Sequence, residues 1–144
     1  MTIEEKIARL KEKGILLTIQ RYAILEFLQG NKLHPTVEEI YQSLRGVYPA
    51  ISRATVYNTL ELFKQQGLIQ EITIERDKVR YDYRIEPHHH FLCRRCGQVY
   101  DVEVKGCPIA ERERVDGHKV EELRPYIIGI CSECLKEGGD AGAA

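Results

Sequence analysis

Pro87-His88-His89-His90-Phe91-Leu92-Cys93-Arg94-Arg95-Cys96-Gly97 runs three histidines directly into a Cys-x-x-Cys. Phe91 and Leu92 read as β-strand, and strand side chains alternate faces, so His88 and His90 point one way and His89 the other. Cys93 and Cys96 fall on a tight turn closed by Gly97, the geometry in which two thiolates grip one Zn2+, and Cys131-Ser132-Glu133-Cys134 repeats the pattern. Two such knuckles predict a four-cysteine site built from Cys93, Cys96, Cys131 and Cys134. The 34 residues between them exceed the spacing of a compact zinc finger, so a folded sub-domain is expected in the interval.

Disulfide pairs, a redox Cys-x-x-Cys and cysteines that are merely buried are the competing readings. A thioredoxin-type motif opens a helix within a βαβ pattern, whereas Cys93 follows a strand and has Arg94 and Arg95 between the thiols. Four thiolates on one dication leave a net charge of minus two, which the two guanidinium groups could offset; a purely solvated role for both arginines stands beside that reading. Cys107 is left over as an ordinary thiol, and His89 and His118 read as surface residues.

Working outward, the chain has 144 residues, 43% hydrophobic and 30% charged, which is the make-up of a soluble globular protein. No apolar run approaches the length of a membrane span and no signal-peptide pattern is present, so a cytoplasmic protein without membrane contact is expected. Cytoplasmic thiols stay reduced, which favours metal over disulfides for paired cysteines. Residues 1 to 86 carry 13 basic and 12 acidic side chains and the remainder 8 and 10, so any nucleic-acid surface has to be a local patch. Halves this small commonly rely on a metal or a partner, and zinc and dimerisation both fit.

Upstream of the knuckle the signals are helical. Thr2-Ile3-Glu4-Glu5 and Thr36-Val37-Glu38-Glu39 fit capping boxes, a second helix runs from about Thr18 to Gln29, and Ser52 can cap a fourth from Arg53 to Gln66, ended by Gly67. His34, preceding Pro35, is expected to be extended. In the fourth helix Val56, Leu60 and Phe63 form one stripe, leaving Arg53, Thr55, Tyr57 and Asn58 near its N-terminus for contact with DNA. Leu68 to Glu75 and Lys78 to Tyr83 then read as a hairpin, which completes a winged helix-turn-helix; a helical bundle with a hairpin and no DNA role is the bland alternative. Downstream, strands over Gln98 to Val104 and Lys119 to Ile130, broken near Pro125, flank a short helix over Ile109 to Val115. The expected class is therefore α+β, an N-terminal winged helix-turn-helix followed by a small α/β dimerisation domain with a four-cysteine zinc site. Its divisions are residues 1–83 for DNA binding, 84–88 for the hinge, 89–137 for dimerisation and metal binding, and 138–144 for a disordered tail.

His34 before a capped helix, Ser52-Arg53-Ala54-Thr55-Val56-Tyr57-Asn58-Thr59-Leu60, Tyr81-Asp82-Tyr83, the histidine-cysteine run and Cys131-Ser132-Glu133-Cys134 together resemble the ferric uptake regulator (Fur) family, over roughly residues 5 to 135. The resemblance implies a homodimeric, metal-dependent repressor that binds operator DNA. It maps a regulatory site for Fe2+ or Mn2+ onto His34, Asp82, His88, His90 and Asp101. Aspartate at both 82 and 101, and Asn58 after Val56-Tyr57, resemble the peroxide-sensing (PerR) branch, in which iron-catalysed oxidation of a ligand histidine, here His34 or His88, releases DNA. The reversible iron- or manganese-responsive regulators of the family are the alternative. Many iron regulators carry His-His-Asp-His where this chain has Pro87-His88-His89-His90, so a further metal site there is not expected.

Three imidazoles and two carboxylates are a mixed nitrogen and oxygen set suited to Fe(II) or Mn(II). No enzyme is expected: a zinc deaminase needs His-x-Glu and Pro-Cys-x-x-Cys, both absent, and four thiolates leave zinc no open position.

Overall fold

Four helices open the chain, and each begins where a hydroxyl side chain accepts a backbone N–H: α1 (Ile3–Glu12) at Thr2, α2 (Ile19–Gly30) at Thr18, α3 (Val37–Leu44) at Thr36 and α4 (Arg53–Gln65) at Ser52. At Thr2 and Thr36 the third helical residue, Glu5 or Glu39, returns the bond to the cap's own N–H, completing both capping boxes. α4 stops at Gly67, whose φ of +69° lets its N–H reach the Lys64 carbonyl at 3.0 Å and the Leu68 N–H reach that of Phe63 at 2.9 Å. This is a Schellman ending, and it sends buried Leu68 back into the core. That core gathers the apolar stripes of all four helices, with Leu10, Ile24, Leu25, Leu28, Ile40, Val56, Leu60 and Phe63 buried.

The computed structural model describes residues 1–106 and 112–138. Within them the chain divides into a unit spanning Met1–Glu86 and a second that begins at Pro87. The first closes with an antiparallel pair, β1 (Gln70–Ile72) and β2 (Arg80–Asp82). Both strands are shorter than the sequence suggests. Leu68 and Ile69 are spent in the core and the helix ending, and the connecting loop is drawn together by Glu75, whose carboxylate accepts from Arg80 Nε at 2.6 Å. Lys6 of α1 is fully buried, with Nζ donating to the carbonyls of Leu68 (2.7 Å) and Tyr83 and lying 3.3 Å from the Tyr83 ring centre. Burial lowers its pKa to about 8, although Glu86 and Asp82 pull the other way. One ammonium group thus ties α1 to both flanks of the hairpin.

His34 departs from its expected conformation. Its φ is +55°, in the left-handed region, rather than extended. The following proline still excludes the right-handed helix, but lateral pairing decides which of the remaining regions is used. Tyr81 N–H donates to the Pro35 carbonyl at 3.0 Å, Arg80 Nη1 to the His34 carbonyl at 3.2 Å, and Thr36 forms an isolated antiparallel bridge with Arg80. The His34–Thr36 segment is therefore stitched along β2, and a non-glycine residue bears the strain.

In the second unit β3 (His89–Cys93) is the central strand of a sheet ordered β4-β3-β7, antiparallel to β4 (Val99–Val102) and parallel to β7 (Tyr126–Gly129). Between them β5 (Arg114–Val115) and β6 (His118–Lys119) form a small hairpin. The helix expected over residues 109–115 is contradicted at its C-terminal end by β5. Asp116 at φ +51° and Gly117 at φ +81° form the Asp-Gly turn that right-twisted hairpins favour, a local signal stronger than the apolar spacing that suggested a helix. The long strand expected over 119–130 is likewise reduced to β6 and β7, with irregular chain at residues 120–125, and the strand over 98–104 to Val99–Val102. A last helix, α5 (Ser132–Gly138), was not anticipated and includes Gly138, the first residue of the expected tail. Cys107, the start of the expected helix and the tail from residue 139 lie outside the described residues.

Candidate metal centres

Parallel pairing of β3 with β7 sets Cys93 opposite Gly129, and the Arg94 N–H donates to the Gly129 carbonyl at 2.9 Å. Two residues beyond Gly129 the chain reaches Cys131, at the entry to α5, so the register of one strand pair brings distant knuckles together. Gly97, at φ +77°, closes the first knuckle by donating to the Cys93 carbonyl at 2.8 Å, as its turn requires. The four sulfur atoms lie within 4.8 Å of one another. Cys93 and Cys134 are 3.8 Å apart at sulfur, as are Cys96 and Cys131. A tetrahedron with Zn–S bonds of about 2.3 Å has edges of about 3.8 Å. A disulfide needs about 2.05 Å, and all four are free thiols. A redox pair has no need of a second pair at this separation, so the arrangement fits Zn2+ closed on four sides.

Backbone N–H groups prepare the sulfur atoms for this role. Cys96 and Cys131 N–H donate to Cys93 Sγ at 3.4 and 3.3 Å, and Cys134 N–H to Cys131 Sγ at 3.5 Å. Burial opposes ionisation of Cys93, yet the N–H groups of Cys96, Cys131 and Arg95 bring its pKa down to about 6. The Tyr100 hydroxyl lowers that of Cys131, and burial pushes Cys134 up to about 12. Arg95 Nη1 donates to the Cys134 carbonyl at 3.3 Å, so one of the two knuckle arginines is anchored beside the thiol cluster, although both are exposed.

Each unit also gathers nitrogen and oxygen donors. In the second, His90 and Asp101 are opposite each other across β3 and β4. Asp101 Oδ1 is 3.2 Å from His88 Nε2 and 3.4 Å from His90 Nε2, and the two rings stand edge to face with centres 4.5 Å apart. His88 precedes the strand but keeps its alternation, sharing a face with His90, while His89 is opposed to Val102 and only half-buried. In the first unit the stitched His34–Thr36 segment brings His34 Nε2 to 3.6 Å from Asp82 Oδ2, and the Arg84 N–H holds Asp82 Oδ1 at 2.9 Å. His34 and Asp82 are both buried. Neutral imidazoles beside carboxylates are donors for Fe2+ or Mn2+.

On α4, Tyr57 is about half exposed at 51% and Asn58 is exposed, so both side chains are accessible. Thr55 faces its own cap, its hydroxyl 2.9 Å from that of Ser52. Arg53 is engaged by Glu38 of α3, with Nε and Nη2 donating at 2.6 and 2.9 Å, and lies 4.3 Å from the centre of the Tyr41 ring. Glu38, Lys6 and Tyr100 were not singled out by sequence reasoning. Only a buried lysine on the apolar stripe of α1 left a readable trace.

A four-helix winged unit followed by an α/β unit centred on a four-thiol cluster defines a winged-helix regulator with a cysteine metal centre. The chain belongs to the ferric uptake regulator family, whose model matches residues 12–126. It is 39% identical over 137 residues to the peroxide operon regulator of Bacillus subtilis (strain 168), covering 94% of each chain. Among solved structures it is similar to the Campylobacter jejuni peroxide stress regulator, at 31% identity and a TM-score of 0.66 over 93% of this chain and 100% of that one. The Helicobacter pylori ferric uptake regulator Fur, at 23% identity, shares the fold with a TM-score of 0.77 over 93% and 94% of the two chains.

Proposed function

We propose that this protein is a metal-dependent, DNA-binding transcriptional repressor that senses peroxide. The observation that carries this reading is the pair of aspartate–imidazole groups, His34 with Asp82 and His88 and His90 with Asp101, in a chain 39% identical to a peroxide operon regulator. These five residues would hold Fe2+ or Mn2+, and Cys93, Cys96, Cys131 and Cys134 a structural Zn2+. The family is regulatory, and we assign no catalytic turnover. Among the described residues no helix is long and apolar enough to cross a membrane. The reading places the protein in the cytoplasm as a homodimer on operator DNA.

Of the regulatory ligands, His34 and Asp82 belong to residues 1–83, His88 to residues 84–88, and His90 and Asp101 to the part beyond. If one metal took ligands from all five, a preference of several kcal/mol for that state would favour it in the ensemble. Residues 84–88 then act as the hinge, 1–83 as the DNA-binding domain and 89–137 as the dimerisation domain. Fe2+ held by these residues would supply the means of activating peroxide next to the imidazoles. One oxygen atom of H2O2 is inserted at a ring C–H of His34 or His88 and the other leaves as water. The oxidised ring is a poorer donor, so the state that binds DNA is no longer favoured.

The test is anaerobic loading with Fe2+ or Mn2+, DNA binding before and after stoichiometric peroxide, and mass spectrometry of the digest. A gain of one oxygen on His34 or His88 in the iron form alone, with loss of DNA binding, is the expected result. Modification confined to cysteines replaces this mechanism with thiol oxidation. No modification leaves a regulator that binds metal reversibly, a reading the peroxide-responsive relatives do not favour.

A further inference from the structure

Arg53 is the first residue of α4, where a helix-turn-helix protein meets DNA, yet its guanidinium is already occupied. Nε and Nη2 donate to the two oxygens of Glu38 at 2.6 and 2.9 Å, and Tyr41 covers one face at 4.3 Å. Glu38 is itself held by Gln42, whose Nε2 donates to Oε1 at 2.9 Å, and Arg45 Nη1 in turn donates to Gln42 Oε1 at 3.3 Å. Arg53 and Glu38 remain more than half exposed at 58% and 53%, so the pair lies on the surface and is not a core contact. A carboxylate bound in this bidentate manner occupies the same two N–H groups that a backbone phosphate would use.

We propose that Glu38 is a specificity-determining, positioning residue: it keeps Arg53 from indiscriminate phosphate binding and presents the guanidinium to DNA in one fixed orientation. Three of the five guanidinium N–H bonds remain for a duplex that fits that orientation. DNA that does not fit must displace Glu38 first. The Arg53 bonds hold the Glu38 carboxyl down to about 2, so the pair stays ionised throughout the working pH range. This inference rests on the reading of α4 as the DNA-contacting helix.

The experiment uses full-length, manganese-loaded protein and two duplexes of equal length. One is the tightest binder selected by the protein from a random pool, the other a random sequence, and both are titrated by fluorescence anisotropy from 50 to 400 mM NaCl. Glu38→Gln keeps the Gln42 partner's position but frees Arg53 for one more phosphate contact. It should tighten random-duplex binding about three- to tenfold at 0.1 M salt, steepen the log–log salt slope by about 0.9 and lower the ratio of selected to random affinity. Adding Arg53→Gln should abolish that gain. Glu38→Ala serves as a second release variant, and circular dichroism checks that each variant is folded.

Unchanged random-duplex binding and slope in both Glu38 variants overturns the inference. So does a gain that survives in the double variant, because loss of a repelling carboxylate alone then explains it. Tyr57→Ala separates the two levels. If it weakens selected-duplex binding while Glu38→Gln has no effect, this inference fails and the function stands; if it changes neither duplex, the DNA-contacting role of α4 falls and this inference falls with it.

Discussion

Cys96→Ser isolates the contribution of the metal in the second unit better than any other cysteine substitution. Cys93, Cys131 and Cys134 are buried and, with Val99, are the buried hydrophobic residues of that unit among the described residues, so replacing one of them also damages packing. Cys96 is exposed, and a serine there leaves no cavity. An exposed substitution without a special role changes stability by about 0.5 kcal/mol or less. A structural zinc supplies on the order of 10–16 kcal/mol of apparent folding free energy in small finger peptides. Removing one of four thiolates forfeits roughly a quarter of that, about 3 kcal/mol, against the ~2 kcal/mol that burying Val99 can offer. The expected result is loss of zinc and of the dimer together. Amide hydrogen exchange across β3 and β7 should quicken at least a hundredfold, while α2 and α4 keep their protection on the separate helical core. Zinc content, sedimentation and exchange mass spectrometry read these three quantities. A Cys96→Ser protein that remains a zinc-loaded dimer with protected β3 amides refutes the assignment of the thiol cluster as a structural zinc site.

Tyr57→Ala should weaken operator binding about tenfold or more without altering metal affinity, as loss of one contact at the base edges does; calorimetric metal titration and anisotropy together check both halves. Asp101→Glu adds a methylene to the carboxylate whose oxygen lies 3.2 and 3.4 Å from His88 and His90, and it should suppress histidine oxidation in the iron form while metal-dependent DNA binding persists. Retained oxidation in that variant would detach peroxide sensing from Asp101. Lys6 titrates near pH 8 in the folded chain, because of its burial, and at its ordinary 10.5 when unfolded, so between these values the unfolded state holds more protons and stability rises with pH. Thermal melts of wild type and Lys6→Met should therefore diverge in favour of the wild type from pH 8 to 10.5 and run parallel below pH 7; a constant difference across the window contradicts the buried ammonium.

Local chemistry alone was enough for much of this molecule. Four hydroxyl caps, two of them with a glutamate at the third helical position, set the starts of α1 to α4, because the bonds that satisfy a helix N-terminus lie within a few residues of each other. Gly67 and Gly97 marked their turns for the same reason, and alternation along β3 assigned His88 and His90 to one face. The four-cysteine set was also legible, since two Cys-x-x-Cys pairs are the pattern by which four thiolates close on one zinc. What needed tertiary structure was every arrangement set by contacts distant in sequence. The left-handed conformation of His34 follows from pairing with β2, and a pre-proline rule has no access to that partner. The hairpin of β5 and β6 was concealed behind an apolar spacing that fitted a helix equally well, although its Asp-Gly turn was visible. Glu38 and Arg53, 15 residues apart, form a bidentate pair only because α3 and α4 pack across one another. Burial of Lys6 depends likewise on carbonyls 62 and 77 residues away, and a charge is taken out of water only where the folded chain has already gathered the acceptors to receive it.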